Sequence, residues 1–316
     1  MKHYFIVNPA AGKGKYLTSL LTKIRFAAED LGVDYVVYHT RTTGDATRYV
    51  REVCTEHPDT DLRFYACGGD GTLNEVVCGA VGFPNAQVAV VPVGTGNDFV
   101  RNFTRPNNFL NLKNQILGEP ITIDLLKYNQ KYAINEINIG LDCEVVQKME
   151  ELKKSALIPG GLTYYAALVT KFFGKFGQHL SISLDGSKPC DYDVTLIAIA
   201  NGTSYGGGFK AAPLARLDDG LLDVCMVSGA TKLDFIKAVG DYKNGTHVGA
   251  GKNYPFIDYR KVRKVEITAD SVTPVCADGE ISPFRSLVIE VLPKAIKLSL
   301  PHGSSYAEAK KTSAQE

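Results

Sequence analysis

The first 125 residues alternate short apolar runs with segments in which apolar residues recur at helical spacing. Apolar runs at 4–7, 34–40, 62–67 and 87–93 predict four strands. A loop rich in Gly, Thr, Asn or Asp follows each run, and a helical segment follows each loop, at 17–31, 46–56, 73–81 and in a short run from Phe99. Strands that alternate with helices in this way predict a parallel sheet that is covered on both faces.

The second half of the chain has a different pattern. Apolar and polar residues alternate at 131–139, 180–184 and 262–268, and continuous apolar runs occur at 194–200 and 287–291. This period of two predicts a strand-rich β-sandwich, interrupted by one helical region at 143–175. We therefore expect an α/β protein of two domains, with a parallel-sheet nucleotide-binding domain at 1–125 and a β-sandwich domain at 126–293.

Composition and charge are those of an ordinary soluble protein. Apolar residues make up 45% of the 316 residues and charged residues 22%, as in ordinary soluble proteins. The net charge of +1 gives no reason to expect nucleic acid as a partner. Seven cysteines without a CxxC pair favour reduced thiols in a cytosol, and the N-terminus reaches Asn8-Pro9 too soon for a signal peptide. No apolar run approaches the ~18 residues that a membrane span needs.

The most informative segment is 67–75, Cys-Gly-Gly-Asp-Gly-Thr-Leu-Asn-Glu, between a predicted strand and a predicted helix. Its glycines, Gly68, Gly69 and Gly71, are expected to permit positive φ and a close approach of the backbone to a ligand. A glycine loop that opens a helix presents free N–H groups and the positive end of the helix dipole, which favours phosphate. A glycine turn without a ligand is the alternative interpretation.

Two further features of this loop concern Asp70 and the start of the helix. Thr72 and Glu75 have the spacing of a capping box, which predicts that the helix begins at Thr72. The Asp70 carboxylate would repel phosphates unless a cation lay between them. Asp70 therefore implies Mg²⁺, bound directly or through water.

Loops at 8–15, 41–45 and 94–98 also follow predicted strands. Open α/β sheets bind ligands at the carboxyl ends of their strands, so four polar loops at one edge predict a nucleotide crevice. Neither the P-loop pattern nor the dinucleotide fingerprint is present, since Tyr16 follows Gly14-Lys15 and Phe99 stands where a third glycine is required. Lys13 is either a phosphate contact or a solvated loop lysine.

Three segments of the second half carry candidate chemistry. In Asp278-Gly279-Glu280, two carboxylates at i and i+2 would share one face of a strand and suit a general base; a hairpin turn with two solvated acids is the alternative. Asp218-Asp219-Gly220 indicates a turn. The apolar stretch 162–173 would line an acyl-chain pocket, touch a membrane, or simply pack on the sandwich, and nearby lysines would meet anionic head groups or solvent.

These motifs, in this order, resemble the lipid kinases that contain the diacylglycerol kinase catalytic domain. The resemblance rests on Asn8-Pro9-x-x-Gly12, on 68–75 and on 94–99, and extends through 201–202, 206–208, 213, 218–223 and 278–280. The Gly-Gly-Asp-Gly-Thr run alone is shared with NAD kinases. The Leu-Asn-Glu continuation and the late Asp-Gly-Glu favour a lipid kinase.

The resemblance implies an NAD kinase/diacylglycerol kinase-like fold in which 294–316 returns to the first domain. It also implies a cytoplasmic, ATP- and Mg²⁺-dependent kinase that meets a lipid hydroxyl, first of all that of diacylglycerol, through peripheral contact with a membrane surface. An NAD kinase-like enzyme and a catalytically inactive nucleotide- or lipid-binding protein are the rival interpretations. The resemblance does not identify the acceptor lipid or the oligomeric state, for which a homodimer is one alternative.

The resemblance also assigns roles to residues. Asp70, Asp278 and Glu280 are the expected catalytic residues, with Asp70 orienting Mg²⁺, Asp98 supporting its waters and Glu280 acting as the base. A structural Mg²⁺ is expected on the Asp219 side chain and on the carbonyls of Arg216 and Leu221. The expected nucleotide contacts are Asn8, Gly12, Lys13, Thr40, Gly68, Gly69, Asp70, Gly71, Thr72, Leu73, Asn74, Glu75, Gly94, Thr95, Gly96, Asn97 and Asp98.

Overall fold

A computed structural model describes residues 1–141, 143–145, 148, 177–249 and 254–307. The predicted apolar stretch 162–173, its neighbouring lysines and most of the predicted helical region 143–175 lie outside the described residues. No helix among the described residues is long and apolar enough to cross a membrane.

The N-terminal half follows the predicted β–α order. Its elements are β1 Lys2–Val7, α1 Leu17–Leu31, β2 Tyr35–His39, α2 Asp45–Glu56, β3 Leu62–Gly68, α3 Asp70–Ala80 and β4 Ala86–Pro92. Two 3-10 turns, Phe99–Asn102 and Pro106–Leu110, and the short helix α4 Leu112–Ile116 follow. The strands pair in parallel in the order β4-β3-β1-β2. The predicted parallel sheet is confirmed.

Successive residues of β1 point to opposite faces of this sheet, as a strand requires. Tyr4 and Ile6 join a core formed with α2 and α3, whereas Phe5 and Val7 join a second core formed with α1 and α4. The sheet therefore buries both faces, which is why its strands are almost continuously apolar.

The C-terminal half is antiparallel. Its elements are β5 Glu119–Tyr128, β6 Lys131–Ala133, β7 Glu136–Gly140, β8 Gln178–Leu184, β9 Cys190–Ala200, β10 Leu222–Ser228, α5 Lys232–Asn244, β11 Ile257–Val262, β12 Lys264–Ala277 and β13 Glu280–Leu300. The alternating run 131–139 is two strands, not one, and Val262 ends β11 instead of belonging to β12. β9 and β12 each pair with β8 along one stretch and with β7 along another, so the strands enclose a third core.

The last strand joins the two halves. β13 pairs antiparallel with β12 near its start, and at Lys297–Ser299 it pairs in parallel with Gln87–Ala89 of β4. The chain then runs along the N-terminal half, where the amide of Thr104 donates to Ser305 O and that of Ala307 to Asn102 O. The polar loops at the end of β3 and β4 consequently lie beside the start of the C-terminal half.

Candidate active site

The helix that follows the glycine loop begins two residues earlier than predicted. α3 starts at Asp70, and Gly69 occupies the N-cap position in an extended conformation without a side-chain cap. The predicted capping box is wrong, because the Glu75 carboxylate accepts hydrogen bonds from the amides of Gly44 and Ala46 at the start of α2, at 2.9 and 3.2 Å. Thr72 Oγ1 instead accepts a hydrogen bond from Asn8 Nδ2 at 3.2 Å.

The glycines of this loop are required for space. The prediction of positive φ is wrong for Gly68, Gly69 and Gly71, none of which has a left-handed backbone. A Cβ on Gly68 would overlap the Thr72 side chain, and one on Gly94 would overlap the Gly69 backbone, so the loops after β3 and β4 are in direct contact. A Cβ on Gly71 would meet nothing within 4 Å. The first turn of α3 is therefore open for a ligand at Gly71.

Asp70 is held between these two loops. Its Oδ2 accepts a hydrogen bond from the amide of Asp98 at 3.1 Å, and its Oδ1 accepts one from the amide of Phe99 at 3.2 Å. A Cβ on Gly96 would lie 2.9 Å from Asp70 Oδ2, so a side chain at that position would require the carboxylate to shift. The carboxylate is half-buried and its orientation is set by the backbone.

Asp98 connects this site to the C-terminal half. Its buried carboxylate accepts hydrogen bonds from Arg101 Nε at 3.0 Å and from the amide of Gly207 at 2.9 Å. Burial raises the pKa of Asp98, and the nearby Asp70 charge adds to the rise, against the hydrogen bonds from Gly207 and Arg101. Asp98 thus lies beside Asp70, where the resemblance expects a supporting carboxylate, and also bridges the two halves.

The predicted nucleotide contacts fall into separate groups. Four of them, Asn8, Thr40, Thr72 and Glu75, line one cavity of about 360 Å³ together with 41–43. Gly94 and Asn97 line another cavity, of about 270 Å³. Leu73 and Asn74, both in the first turns of α3, are buried.

The remaining predicted contacts lie in turns. Gly12 and Lys13 belong to the 3-10 turn Ala11–Gly14 and have left-handed φ of 56° and 60°, with the Lys13 side chain exposed. Thr95 and Gly96 are exposed in the loop after β4. Asn97 shapes that loop, because its Nδ2 donates to Pro92 O and Gly94 O.

Asp278 and Gly279 form a two-residue turn between the paired ends of β12 and β13. Both have left-handed φ, 46° and 89°, which is the conformation of a tight hairpin. The prediction that Asp278 and Glu280 share one face of a strand is therefore wrong. The alternative is confirmed in its hairpin turn but wrong in calling Asp278 solvated. Asp278 accepts hydrogen bonds from the amides of Ile134, Asn135 and Glu136 at 2.6, 3.0 and 3.0 Å. Glu280 is exposed.

The hairpin turn lies opposite α3. Burial raises the pKa of Asp278 to about 6, against the three amide donors, and the Asp70 charge adds to the rise. Burial and then the charges of Asp278 and Glu280 raise the pKa of Cys78 on α3 to about 12. The charge of Asp70 thus acts on Asp278, although the two residues are far apart in the chain, and both acids of the hairpin act on Cys78 of α3.

Buried asparagines hold this neighbourhood together, and the motif analysis missed two of them. Asn102 Oδ1 accepts hydrogen bonds from Thr203 N and Oγ1 at 2.8 and 3.0 Å, and Asn135 Nδ2 donates to Ser204 O at 2.8 Å. Asn201 Nδ2 donates to Asp124 O at 2.8 Å. The available signal for Asn102 was an amide directly before Phe103 and three residues after Phe99.

The residues around Asp219 do not fit the predicted Mg²⁺ site. Asp219 Oδ2 accepts a hydrogen bond from Lys261 Nζ at 2.9 Å, and its Oδ1 accepts one from the amide of Leu221 at 3.1 Å. The Arg216 guanidinium pairs with Asp218 at 3.2 Å.

Comparison with known proteins identifies both halves. Residues 2–128 match the diacylglycerol kinase catalytic domain, and residues 135–300 match the YegS C-terminal NAD kinase beta sandwich-like domain. A "Diacylglycerol kinase" of Staphylococcus carnosus is 30% identical over 277 residues, 87% of each chain. A "Probable lipid kinase YegS-like" of Serratia proteamaculans is 30% identical over 295 residues, 88% of this chain and 90% of the relative.

The fold is also similar to that of a crystal structure described as a diacylglycerol kinase from Bacillus anthracis. The TM-score is 0.68 at 24% identity, over 94% of this chain and 96% of that one. The two matched domains cover nearly the whole chain in the order that the motifs indicate. The chain therefore belongs to the lipid kinase family that joins a diacylglycerol kinase catalytic domain to a YegS-type β-sandwich domain.

Proposed function

We propose that this protein transfers the γ-phosphoryl group of ATP to a lipid hydroxyl, first of all that of diacylglycerol, in a Mg²⁺-dependent reaction at a membrane surface. The observation that carries the proposal is the contact between two elements that carry different kinds of group. α3, which begins at Asp70, contacts β13, which begins at Glu280 directly after the Asp278-Gly279 turn.

The nucleotide side follows from α3 and its neighbours. The open space at Gly71 and the free N–H groups at the start of α3 suit phosphate oxygens. The cavity beside Thr40 and 41–43 has room for the rest of a nucleotide. Asp70 offers hard, half-buried oxygens next to this seat, so it fits Mg²⁺, which would supply neutralisation of the phosphate charge when bound.

On the acceptor side, Glu280 and Asp278 have different tasks. Three amide donors occupy the Asp278 carboxylate, so it fixes the turn against 134–136 and is a positioning residue. Glu280 is exposed directly after that turn, so its carboxylate is available to take the proton of an acceptor hydroxyl as the oxygen attacks. A lipid that lies in a membrane would present its hydroxyl to the exposed Glu280 carboxylate.

The decisive test is transfer of label from ATP to a panel of acceptors, with products identified by mass. Vesicles with diacylglycerol, phosphatidylglycerol, a sphingoid base or a polyprenol test the lipid class, and NAD⁺ tests the rival enzyme. Phosphatidic acid as the main product, lost in excess chelator, is the expected result. Labelled NADP⁺, or ATP binding without transfer to any acceptor, would contradict the proposal.

Glu280→Gln supplies the matched test of the base. Turnover should fall by ~10²–10⁴-fold while the KM for ATP changes little, because Glu280 is assigned to the acceptor and not to the nucleotide. Glu290→Gln on the same strand is the control and should keep full activity. Near-normal turnover of Glu280→Gln would remove Glu280 from the role of base.

A further inference from the structure

A lysine on β11 bridges two carboxylates, one in the loop that precedes β10 and one in β10 itself. Lys261 lies directly opposite Asp223 in the antiparallel β10–β11 pair. Its Nζ is 2.8 Å from Asp223 Oδ2 and 2.9 Å from Asp219 Oδ2. One ammonium group therefore bridges a strand residue and a loop residue of like charge.

The remaining oxygens of these carboxylates also have donors. Asp223, which is fully buried, accepts a hydrogen bond from Tyr259 Oη at 2.6 Å. Asp219 Oδ1 accepts from the amide of Leu221 at 3.1 Å. All four carboxylate oxygens are thus hydrogen-bonded by groups of this chain, and one ammonium group lies against both acids.

The same arrangement disfavours a divalent cation. Mg²⁺ binds oxygen at about 2.0–2.1 Å, so an ion on Asp219 would lie within a few ångström of the Lys261 ammonium. Two positive charges at that separation repel each other strongly in a partly buried site. The ion would have to displace the lysine, which would leave the buried Asp223 without its positively charged partner.

We propose that the Lys261 ammonium is the resident cation of the Asp219 loop, in the place that the family resemblance gives to a structural Mg²⁺. The loop is then independent of divalent cations. This matters for the site because the loop is tied to the junction of the two halves: Gly220 N donates to Asp124 Oδ2 at 2.7 Å, and Lys294 N donates to Asp124 Oδ1 at 2.7 Å.

Thermal unfolding of the nucleotide-free protein tests this inference without any measurement of activity. Wild-type Tm should agree within about 1 °C between millimolar Mg²⁺ and excess chelator, because nothing at the loop binds the ion. Lys261→Met should lower Tm in chelator by on the order of 5 °C or more, since the buried Asp223 loses its positively charged partner. Mg²⁺ should restore part of that loss. Lys264→Met is the control, because Lys264 pairs with Glu266 and Glu290 at the surface.

Two results would overturn the proposal. One is a wild-type Tm that falls by several degrees in chelator and no longer does so in Asp219→Asn. The other is Lys261→Met with the stability of wild type and no response to Mg²⁺. If Lys261→Met does not fold, calorimetric titration of the wild-type protein with Mn²⁺ decides: one site that Asp219→Asn removes contradicts the proposal, and the absence of such a site supports it.

Discussion

The carboxylates of the candidate site differ in their surroundings more than in their chemistry. Asp70 is oriented by two backbone amides, Asp98 by one amide and one guanidinium, and Asp278 by three amides. Glu280 is exposed and has the greatest freedom to meet a substrate. Single substitutions should therefore separate metal placement, structural support and proton transfer.

Asp70→Asn should reduce transfer by at least ~10²-fold, because the charge that places Mg²⁺ is lost. A small drop in Tm should accompany it, since one of the two amides that donate to Asp70 would then face an NH₂ group. The measurement is kcat at saturating Mg²⁺, with the exposed Asp59→Asn as control. Activity within twofold of wild type would show that Asp70 does not place the metal.

The pH dependence of stability should reveal Asp278. Its pKa rises from 3.8 to about 6 on folding, so the folded state binds the proton more tightly than the unfolded state. The contribution of Asp278 to the free energy of unfolding is then most favourable below the unfolded pKa and declines as pH rises from about 4 to 6. Asp278→Asn should remove this decline, as denaturant unfolding between those pH values would show. An unchanged slope would mean that Asp278 has an ordinary pKa in the folded protein.

At the scale of elements, the first turn of α3 is the central feature. Its N–H groups are left without a side-chain cap, while Glu75, one turn later, caps the neighbouring helix α2. The close contact between Gly69 and Gly94 brings the loops after β3 and β4 together. The N–H groups at the start of α3 are thereby left available and are supported by the neighbouring loop, as phosphate binding at a helix N-terminus requires.

Two glycine substitutions distinguish support from ligand contact at this turn. Gly68→Ala should lower Tm, because its Cβ would overlap the Thr72 side chain. Gly71→Val should leave Tm nearly unchanged but weaken ATP binding, because the side chain would fill the open space at the start of α3. Melting and nucleotide calorimetry on both variants provide the comparison. Equal ATP affinity of Gly71→Val and wild type would mean that no phosphate lies there.

At the scale of the whole molecule, the candidate site depends on the relative position of the two halves. β13 pairs with strands of both, and Asn102 and Asp98 in the N-terminal half bind backbone amides of the C-terminal half directly. Asn102 is buried, so leaving its side-chain amide without hydrogen bonds would cost free energy. The hydrogen bonds that it does make favour one arrangement of the two halves. Relative motion of the halves should therefore be restricted at this contact.

Asn102→Ala should impair activity more than a surface change and also lower stability. The amide and hydroxyl of Thr203 would lose their acceptor, at a cost of about 1–3 kcal/mol. The expected result is a lower Tm together with a reduced kcat. Asn107→Ala, an exposed change nearby, is the control. Loss of stability with unchanged kcat would show that Asn102 supports the fold without aligning the two halves.

The sequence by itself determined the β–α order, the position of the glycine loop and the presence of an acid, Asp70, within that loop. These follow from local properties, since hydrophobic period and turn composition act over a few residues. The start of α3 was misplaced because Glu75 finds its partners 29 and 31 residues earlier, at Ala46 and Gly44. The spacing of Thr72 and Glu75 gives no information about distant amides that compete for the Glu75 carboxylate.

Only the tertiary structure decided what the acids of the second half do. Asp278 meets amides 142 to 144 residues away, and Asp219 meets Lys261 across 42 residues. Both outcomes depend on which strands become neighbours, and strand order is set by the burial of whole faces. A local pattern specifies that a carboxylate is present, whereas its partners, and hence its charge and function, are specified by the packing of the complete sheet.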